Sequence, residues 1–246
     1  MWSLRVDLAG TSGAQNMAVD QALLEEADRS GAAFLRLYRW SPPCLSFGRN
    51  EPALQRYDRA EIERRRLDVV RRPTGGRAVW HDAEVTYAVA APVAAFGSLR
   101  ASYRSIHERL ALALRRLGVA AALAPDAGQR TAPHDGACFT DAIGGEVVVN
   151  GRKLIGSAQM RLGSAFLQHG SILLDGSQDA VSAVSRRPSA VSKATTLREI
   201  LGRPVSFSEV ADAIVATWSD AVTVTAPYRL LPPLTAGFDS SWTWRR

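Results

Sequence analysis

The chain has 246 residues, 46% of them hydrophobic, with 30 Lys and Arg against 24 Asp and Glu for a formal charge of +6. That composition excludes a disordered or fibrous polypeptide and leaves room for one large core or two small ones. The start, Met1-Trp2-Ser3-Leu4-Arg5-Val6-Asp7, carries no signal-like apolar stretch, and the most apolar window, Tyr87 to Phe96, is short and holds Pro92, so a soluble, cytoplasmic protein without membrane attachment is expected.

The first element is a helix. Ser12-x-x-Gln15 forms a capping-box pattern, Met17, Ala18, Leu23, Leu24 and Ala27 follow at helical spacing, and Gly31 marks the end. Phe34 to Trp40 alternates as a strand, Ser41-Pro42-Pro43 interrupts it, and Cys44 to Gly48 resumes an extended run. Pro52 to Arg66 reads as one charged surface helix. Val69-Val70 leads into Thr74-Gly75-Gly76, and two strand-like segments, Ala78 to His81 and Val85 to Val89, flank a His81-Asp82 turn. Ile106, Leu110, Leu114 and Leu117 predict a helix whose solvent face carries Arg104, Arg109, Arg115 and Arg116.

Residues 124–137 are rich in Pro, Asp, Gly and Thr and predict a loop. Glu146 to Val149, Asn150-Gly151 and Arg152 to Ala158 predict a hairpin, because a type I′ turn needs positive φ at both central residues. Lys153 would then stand opposite Val148. Ala165 to Leu174 is a further strand, and Thr196-x-x-Glu199 and Ser206-x-x-Glu209 predict two more capping boxes, the second opening a helix with Val210, Ile214 and Trp218 on one face. No repeat or linker divides the chain, so 1–246 reads as a single α/β domain with a mixed β-sheet flanked by helices and a mainly helical part after residue 176.

Phosphate-binding glycine loops, the His-Glu-x-x-His zinc motif and the nucleophile elbow are all missing. The two cysteines, Cys44 and Cys138, have no disulfide or zinc spacing, and no metal site is expected. Cys44 reads as core, whereas Cys138 is either an inert thiol or a nucleophile. Only Lys153 and Lys193 among the cations are lysine. Either a compact, titratable ammonium is wanted at Lys153, or one lysine remains on a solvated turn. His81 and His169 fit pocket contacts as well as structural imidazoles. The net charge favours acidic partners. Arg71, Arg72 and Arg77 are candidates to meet them, with a solvated, salt-bridged surface as the alternative, and the basic runs lack the interleaved aromatics of a nucleic-acid platform.

Arg71-Arg72-Pro73-Thr74-Gly75-Gly76-Arg77-Ala78-Val79-Trp80-His81-Asp82, with Gly151-Arg152-Lys153-Leu154-Ile155-Gly156-Ser157-Ala158-Gln159, resembles the lipoate-protein ligase and octanoyltransferase superfamily. Asn16-Met17-Ala18-Val19-Asp20, Trp40-Ser41-Pro42-Pro43 with Leu45-Ser46-Phe47-Gly48, and Gln168-His169-Gly170-Ser171-Ile172-Leu173-Leu174 recur in the family's order, so the resemblance spans about 16–175. Cys138-Phe139, where ligases tend to show Asn-Asp, and Arg77 in place of a third glycine are similar to the cysteine-using, ligase-like octanoyltransferases. The chain departs from them at Thr140-Asp141-Ala142-Ile143-Gly144-Gly145.

The resemblance implies a biotin/lipoate ligase catalytic-domain fold and octanoyl transfer from acyl carrier protein to a lipoyl-domain lysine, such as that of glycine cleavage H protein or a 2-oxoacid dehydrogenase E2, through a thioester on Cys138. No cofactor is expected. Lys153 would favour the thiolate and stabilise the oxyanion. Arg72, Thr74, Gly75, Gly76, Arg77, His81, Gly156, Ser157, Ala158, Gln159, His169 and Gly170 would line the substrate site. Competing expectations are an ATP-dependent lipoate ligase, an amidotransferase between lipoyl domains, and a catalytically dead member that binds acyl-proteins or nucleic acid.

Overall fold

The computed structural model describes residues 2–125, 144–187, 194–218, 222–223 and 237–245. Strand β1 (Trp2–Val6) leads into helix α1 (Gly13–Ser30), whose capping box closes reciprocally between Ser12 and Gln15 and whose end is Gly31 in the left-handed region at φ 73°. Strands β2 (Ala33–Tyr38) and β3 (Cys44–Phe47) follow as the alternation predicts.

Pro52 to Arg66 does not form one helix. It splits into α2 (Ala53–Arg56) and α3 (Arg59–Arg64), because Tyr57 turns extended, bridges Ser185 and donates to Glu51 Oε1, while the Asp58 carboxylate caps the Ala60 and Glu61 N–H groups. Strands β4 (Asp68–Arg71) and β5 (Val79–His81) flank β3 in a three-stranded sheet of order β4-β3-β5.

Strand β6 (Glu84–Pro92) enters a different sheet, and α4 (Leu99–Arg116) follows with Ile106, Leu110 and Leu114 buried. Arg109 is not left to solvent: it donates to the Thr217 carbonyl and lies over the Trp218 ring. Short strands β7 (Ala122–Leu123), β8 (Val147–Val149) and β9 (Arg152–Lys153) make a second small sheet. The β8–β9 turn has Asn150 at φ 50° and Gly151 at φ 73°, and Lys153 pairs with Val148. The return strand breaks at Leu154, whose N–H bonds Val147, and continues as β10 (Ile155–Leu162) in the large sheet beside β11 (Ala165–Leu173).

Helices α5 (Asp179–Ala183), α6 (Leu197–Leu201) and α7 (Phe207–Thr217), strand β12 (Val222–Thr223) and helix α8 (Ser240–Thr243) complete the described elements. Thr196 and Ser206 cap α6 and α7. Their Glu199 and Glu209 side chains pair with Arg152 and Arg203, ion pairs in place of the reciprocal half of each expected box.

The large sheet has order β10-β11-β6-β2-β1-β12, antiparallel from β10 to β2 and parallel beyond, the mixed sheet of an α/β domain. Side chains alternate between its faces. Leu35, Leu37, Tyr87, Val89 and Phe166 pack on one side with α4 and α7, whereas Phe34, Ala88, Ala90 and Leu167 pack on the other with α1. That second face meets β3 and β5. The seam between them is where the sequence motifs converge.

Candidate active site

The seam holds a narrow, partly open cavity of about 30 Å³. The large sheet supplies Tyr38, Thr86, His169 and Ser171, with Gly156, Ser157, Ala158 and Gly170 on β10 and β11. The small sheet supplies Ser46, Val79 and His81, Arg72 lies just beyond β4, and α1 supplies Met17. Seven residues singled out from sequence thus meet around one space: Arg72, His81, Gly156, Ser157, Ala158, His169 and Gly170. A Cβ on Gly170 would stand 2.5 Å from the Gly156 carbonyl oxygen and 2.5 Å from Ser157 Oγ, so only glycine lets β11 pass this point.

One hydrogen-bonded chain runs from Glu84 to Arg72. A carboxylate can only accept, so His81 Nδ1–H donates to Glu84 Oε1 at 2.9 Å and leaves Nε2 to accept from Ser46 Oγ at 2.7 Å. Ser46 Oγ in turn accepts from Arg72 Nη1 at 2.9 Å. The ring of Trp40 stacks on His81 with centroids 4.0 Å apart and is held by its own bond to Thr86 Oγ1.

A second chain starts at Asp20. Burial would raise the Asp20 carboxyl, but its bond to His169, the Arg36 guanidinium and the Tyr38 hydroxyl together hold it below the usual carboxylate range. Burial pushes the His169 imidazole down against the pull of Asp20, so the pair is an anion and a neutral ring. Nδ1–H donates to Asp20 at 2.9 Å, and Nε2 accepts from Thr74 Oγ1 at 2.6 Å. Thr74 is thereby tied beneath the Gly75-Gly76 turn. Arg72 clamps that turn from within through the Gly75 and Arg77 carbonyls.

Neither a solvated surface nor a partner-facing cluster describes Arg71 and Arg72, which are 1% and 5% exposed. Arg71 donates to the carbonyls of Gly48, Glu51 and Thr243 and so ties the C-terminal segment to β4. The run reads as surface in sequence because backbone carbonyl partners leave no pattern there. Arg77 is half-buried and Gly76 exposed, with Thr74, Gly75, Gly76 and Arg77 forming the loop beside the cavity rather than its wall. Gln159 lies off the cavity and bonds Ser102 Oγ and Gln168 Oε1. Cys44 is fully buried core, and burial pushes its thiol up. Cys138 and the stretch to Ile143 lie outside the described residues.

Lys153 is 2% exposed, which removes the solvated-turn reading. Its ammonium meets Glu146 Oε1 at 2.8 Å, and Tyr103 OH donates to the same oxygen. Behind the cavity wall, Ser157 Oγ bonds both Tyr87 OH at 2.7 Å and His107 Nε2 at 2.8 Å. Burial, together with the Lys153 charge nearby, pushes His107 down to about 3, so its ring is neutral. The Lys153 ammonium is thus buried, paired with Glu146 and close enough to His107 to act on it through its charge.

Sequence reasoning missed Ser46, Glu84, Asp20 and His107. Asp20 and Ser46 stand in motifs that carry the resemblance, and His107 left a signal as an ionisable residue inside the apolar stripe of α4, three residues before Leu110 and seven before Leu114. A larger polar cleft of about 180 Å³ lies beside Trp80, Asp82, Asp175 and Gln178; it takes in Asp82 of the His81-Asp82 turn but none of the residues expected to line the substrate site. No helix among the described residues is long and apolar enough to cross a membrane.

The family model for the lipoyl protein ligase A/B catalytic domain matches residues 12–219. The chain is 43% identical to "Octanoyltransferase LipM" of Kyrpidia tusciae over 229 residues, 86% of this chain and 84% of that protein. It is 37% identical to the protein of the same name from Carboxydothermus hydrogenoformans over 233 residues, 89% and 86% of the two chains. Among solved structures, a lipoate-protein ligase A bound with ATP superposes with a TM-score of 0.75 at 20% identity, covering 96% of this chain and 92% of the other. A putative lipoate protein ligase from T. acidophilum with bound lipoic acid gives 0.74 at 20%, covering 98% of each. At that identity the two structures speak for the fold.

Proposed function

Because the chain belongs to the lipoyl protein ligase A/B catalytic domain family, we propose that it is an octanoyl-[acyl carrier protein]:protein N-octanoyltransferase acting through a thioester on Cys138. The observation that carries this reading is the identity, over more than four fifths of both chains, to relatives named octanoyltransferase. The cavity at the seam and the buried Lys153 ammonium agree with the chemistry. In the first half-reaction the Cys138 thiolate attacks the thioester carbonyl of octanoyl-carrier protein. The bond to the carrier sulfur breaks and the carrier thiol departs with a proton. In the second, a lipoyl-domain lysine amine attacks the Cys138 thioester, an amide forms, and the amine's proton restores the thiol.

Lys153 serves both steps by donating to the oxyanion, a role worth about 3 kcal/mol for one well-placed donor. Arg72, held by Ser46, and the His81 and His169 relays fix the cavity wall so that the acyl carbonyl meets the same donors each time. Gly156 and Gly170 keep β10 and β11 slender where the chain passes.

The test is intact-mass measurement after incubation with octanoyl-carrier protein. One added octanoyl group on the native chain and none on Cys138→Ser is the expected result. Octanoylation of a lipoyl domain by Cys138→Ala from free octanoate and ATP would instead make the protein a ligase.

A further inference from the structure

We propose that Met17 is the gate and length stop of the acyl site, its side chain swinging aside to admit an acyl tail and limiting how long that tail can be. The inference rests on the acyl-transfer reading above and adds a residue that sets chain-length preference. The cavity of about 30 Å³ is an order of magnitude smaller than the roughly 300 Å³ of an ordinary ligand pocket. Something lining it has to move before a hydrocarbon chain can enter.

Almost every other lining side chain is held in place. Tyr38 donates to Asp20 and Trp40 to Thr86, His81 and Ser46 bond each other, and His169 is fixed between Asp20 and Thr74. Arg72 is held by carbonyls, Ser171 by Glu84 and Ser157 by His107. Val79 is branched and short, and Ala158, Gly156 and Gly170 have nothing to move. Met17 alone among the liners is a long, unbranched apolar side chain, free to change rotamer without breaking a hydrogen bond.

The α1 backbone beside it is anchored, since Asn16 Nδ2 donates to the Thr11 and Arg39 carbonyls and Arg36 grips Asn16 Oδ1. The motion therefore belongs to the Met17 side chain and not to its helix. Met17 is 1% exposed and belongs at once to the cavity wall and to the apolar cluster containing Ala88, Ala90 and Leu167. A tail that displaces it runs onto two alanines of β6 and an apolar strand face. Such a floor suits a saturated acyl chain and offers a charged or polar tail no partner.

The experiment compares covalent loading of the native chain, Met17→Ala, Met17→Leu and Met17→Phe by hexanoyl-, octanoyl-, decanoyl- and dodecanoyl-carrier protein, read by intact mass as rates. Met17→Ala removes about three heavy atoms and raises the dodecanoyl-to-octanoyl rate ratio about tenfold or more. Met17→Phe lowers the decanoyl-to-hexanoyl ratio by a similar factor. Met17→Leu keeps volume and foldedness but, being branched, cannot fold aside, and it also lowers that ratio. Ratios within one preparation cancel any loss of folded protein. Unchanged ratios in all three variants would overturn the proposal while leaving acyl transfer standing. Failure of the native chain to load any donor would remove the acyl-transfer reading and the gate with it.

Discussion

The Lys153 ammonium lies 2.8 Å from Glu146 Oε1, and the two side chains are 2% and 1% exposed. A buried pair of this kind costs little when both members are present and a great deal when one is left alone. Glu146→Ala should destabilise the protein by about 3–5 kcal/mol, and the double exchange Glu146→Leu with Lys153→Met should recover most of that. Urea denaturation measures both. The double variant should remain inactive in octanoyl transfer, separating the role proposed for the ammonium from the structural pair. An active double variant would remove Lys153 from the chemistry.

Asp20 accepts from Arg36, Tyr38 and His169 at once. Asparagine there turns an amide donor toward groups that are themselves donors. Asp20→Asn should lower stability by about 2–5 kcal/mol and, by freeing His169 and Thr74, slow acyl loading. Loading at the native rate in folded Asp20→Asn would show that the Thr74 loop does not depend on this relay.

His107 is neutral because burial pushes it down to about 3. Below the ordinary histidine value near 6.5 the unfolded chain takes up a proton that the folded one refuses, so this group makes stability fall as pH drops from about 6.5 toward 3, by about 1 kcal/mol per unit. His107→Gln should flatten the slope of urea stability between about pH 6.5 and pH 5 by that amount. An identical slope would mean the ring is protonated in the fold.

Gly170→Ala places a methyl 2.5 Å from a backbone oxygen of β10, which cannot swing away as a side chain would. The expected cost is about 1–3 kcal/mol, together with loss of acyl loading as β10 and β11 are forced apart. Thermal unfolding and intact-mass loading report the two effects separately. Gly118→Ala, where no atom lies within 4 Å but φ is +84°, should cost about 1 kcal/mol by backbone strain alone and leave loading intact.

Most elements were legible in the chain. The capping box at Ser12, the Asn150-Gly151 turn, the alternation of β2 and the strand run of β11 are decided by neighbours a few residues away, and they formed as read. The misreadings have tertiary causes. Pro52 to Arg66 has helical composition throughout, but Tyr57 is drawn off by Glu51 and Ser185, the latter 128 positions later. Arg71 and Arg72 look like surface charge until the C-terminal segment and the Gly75-Gly76 turn bring their carbonyls.

The sequence alone therefore determined the superfamily, the order of most strands and helices, the register that sets Lys153 opposite Val148, and half of the cavity-lining set. Its signals are local periodicity, turn chemistry and ordered motifs. Only the tertiary structure decided the partners: Glu146 for Lys153, Asp20 for His169 across 149 positions, Glu84 and Ser46 on either side of His81, and Met17 across the cavity. Hydrogen bonds and close packing between sheets depend on where distant strands come to rest, and no spacing along the chain encodes that.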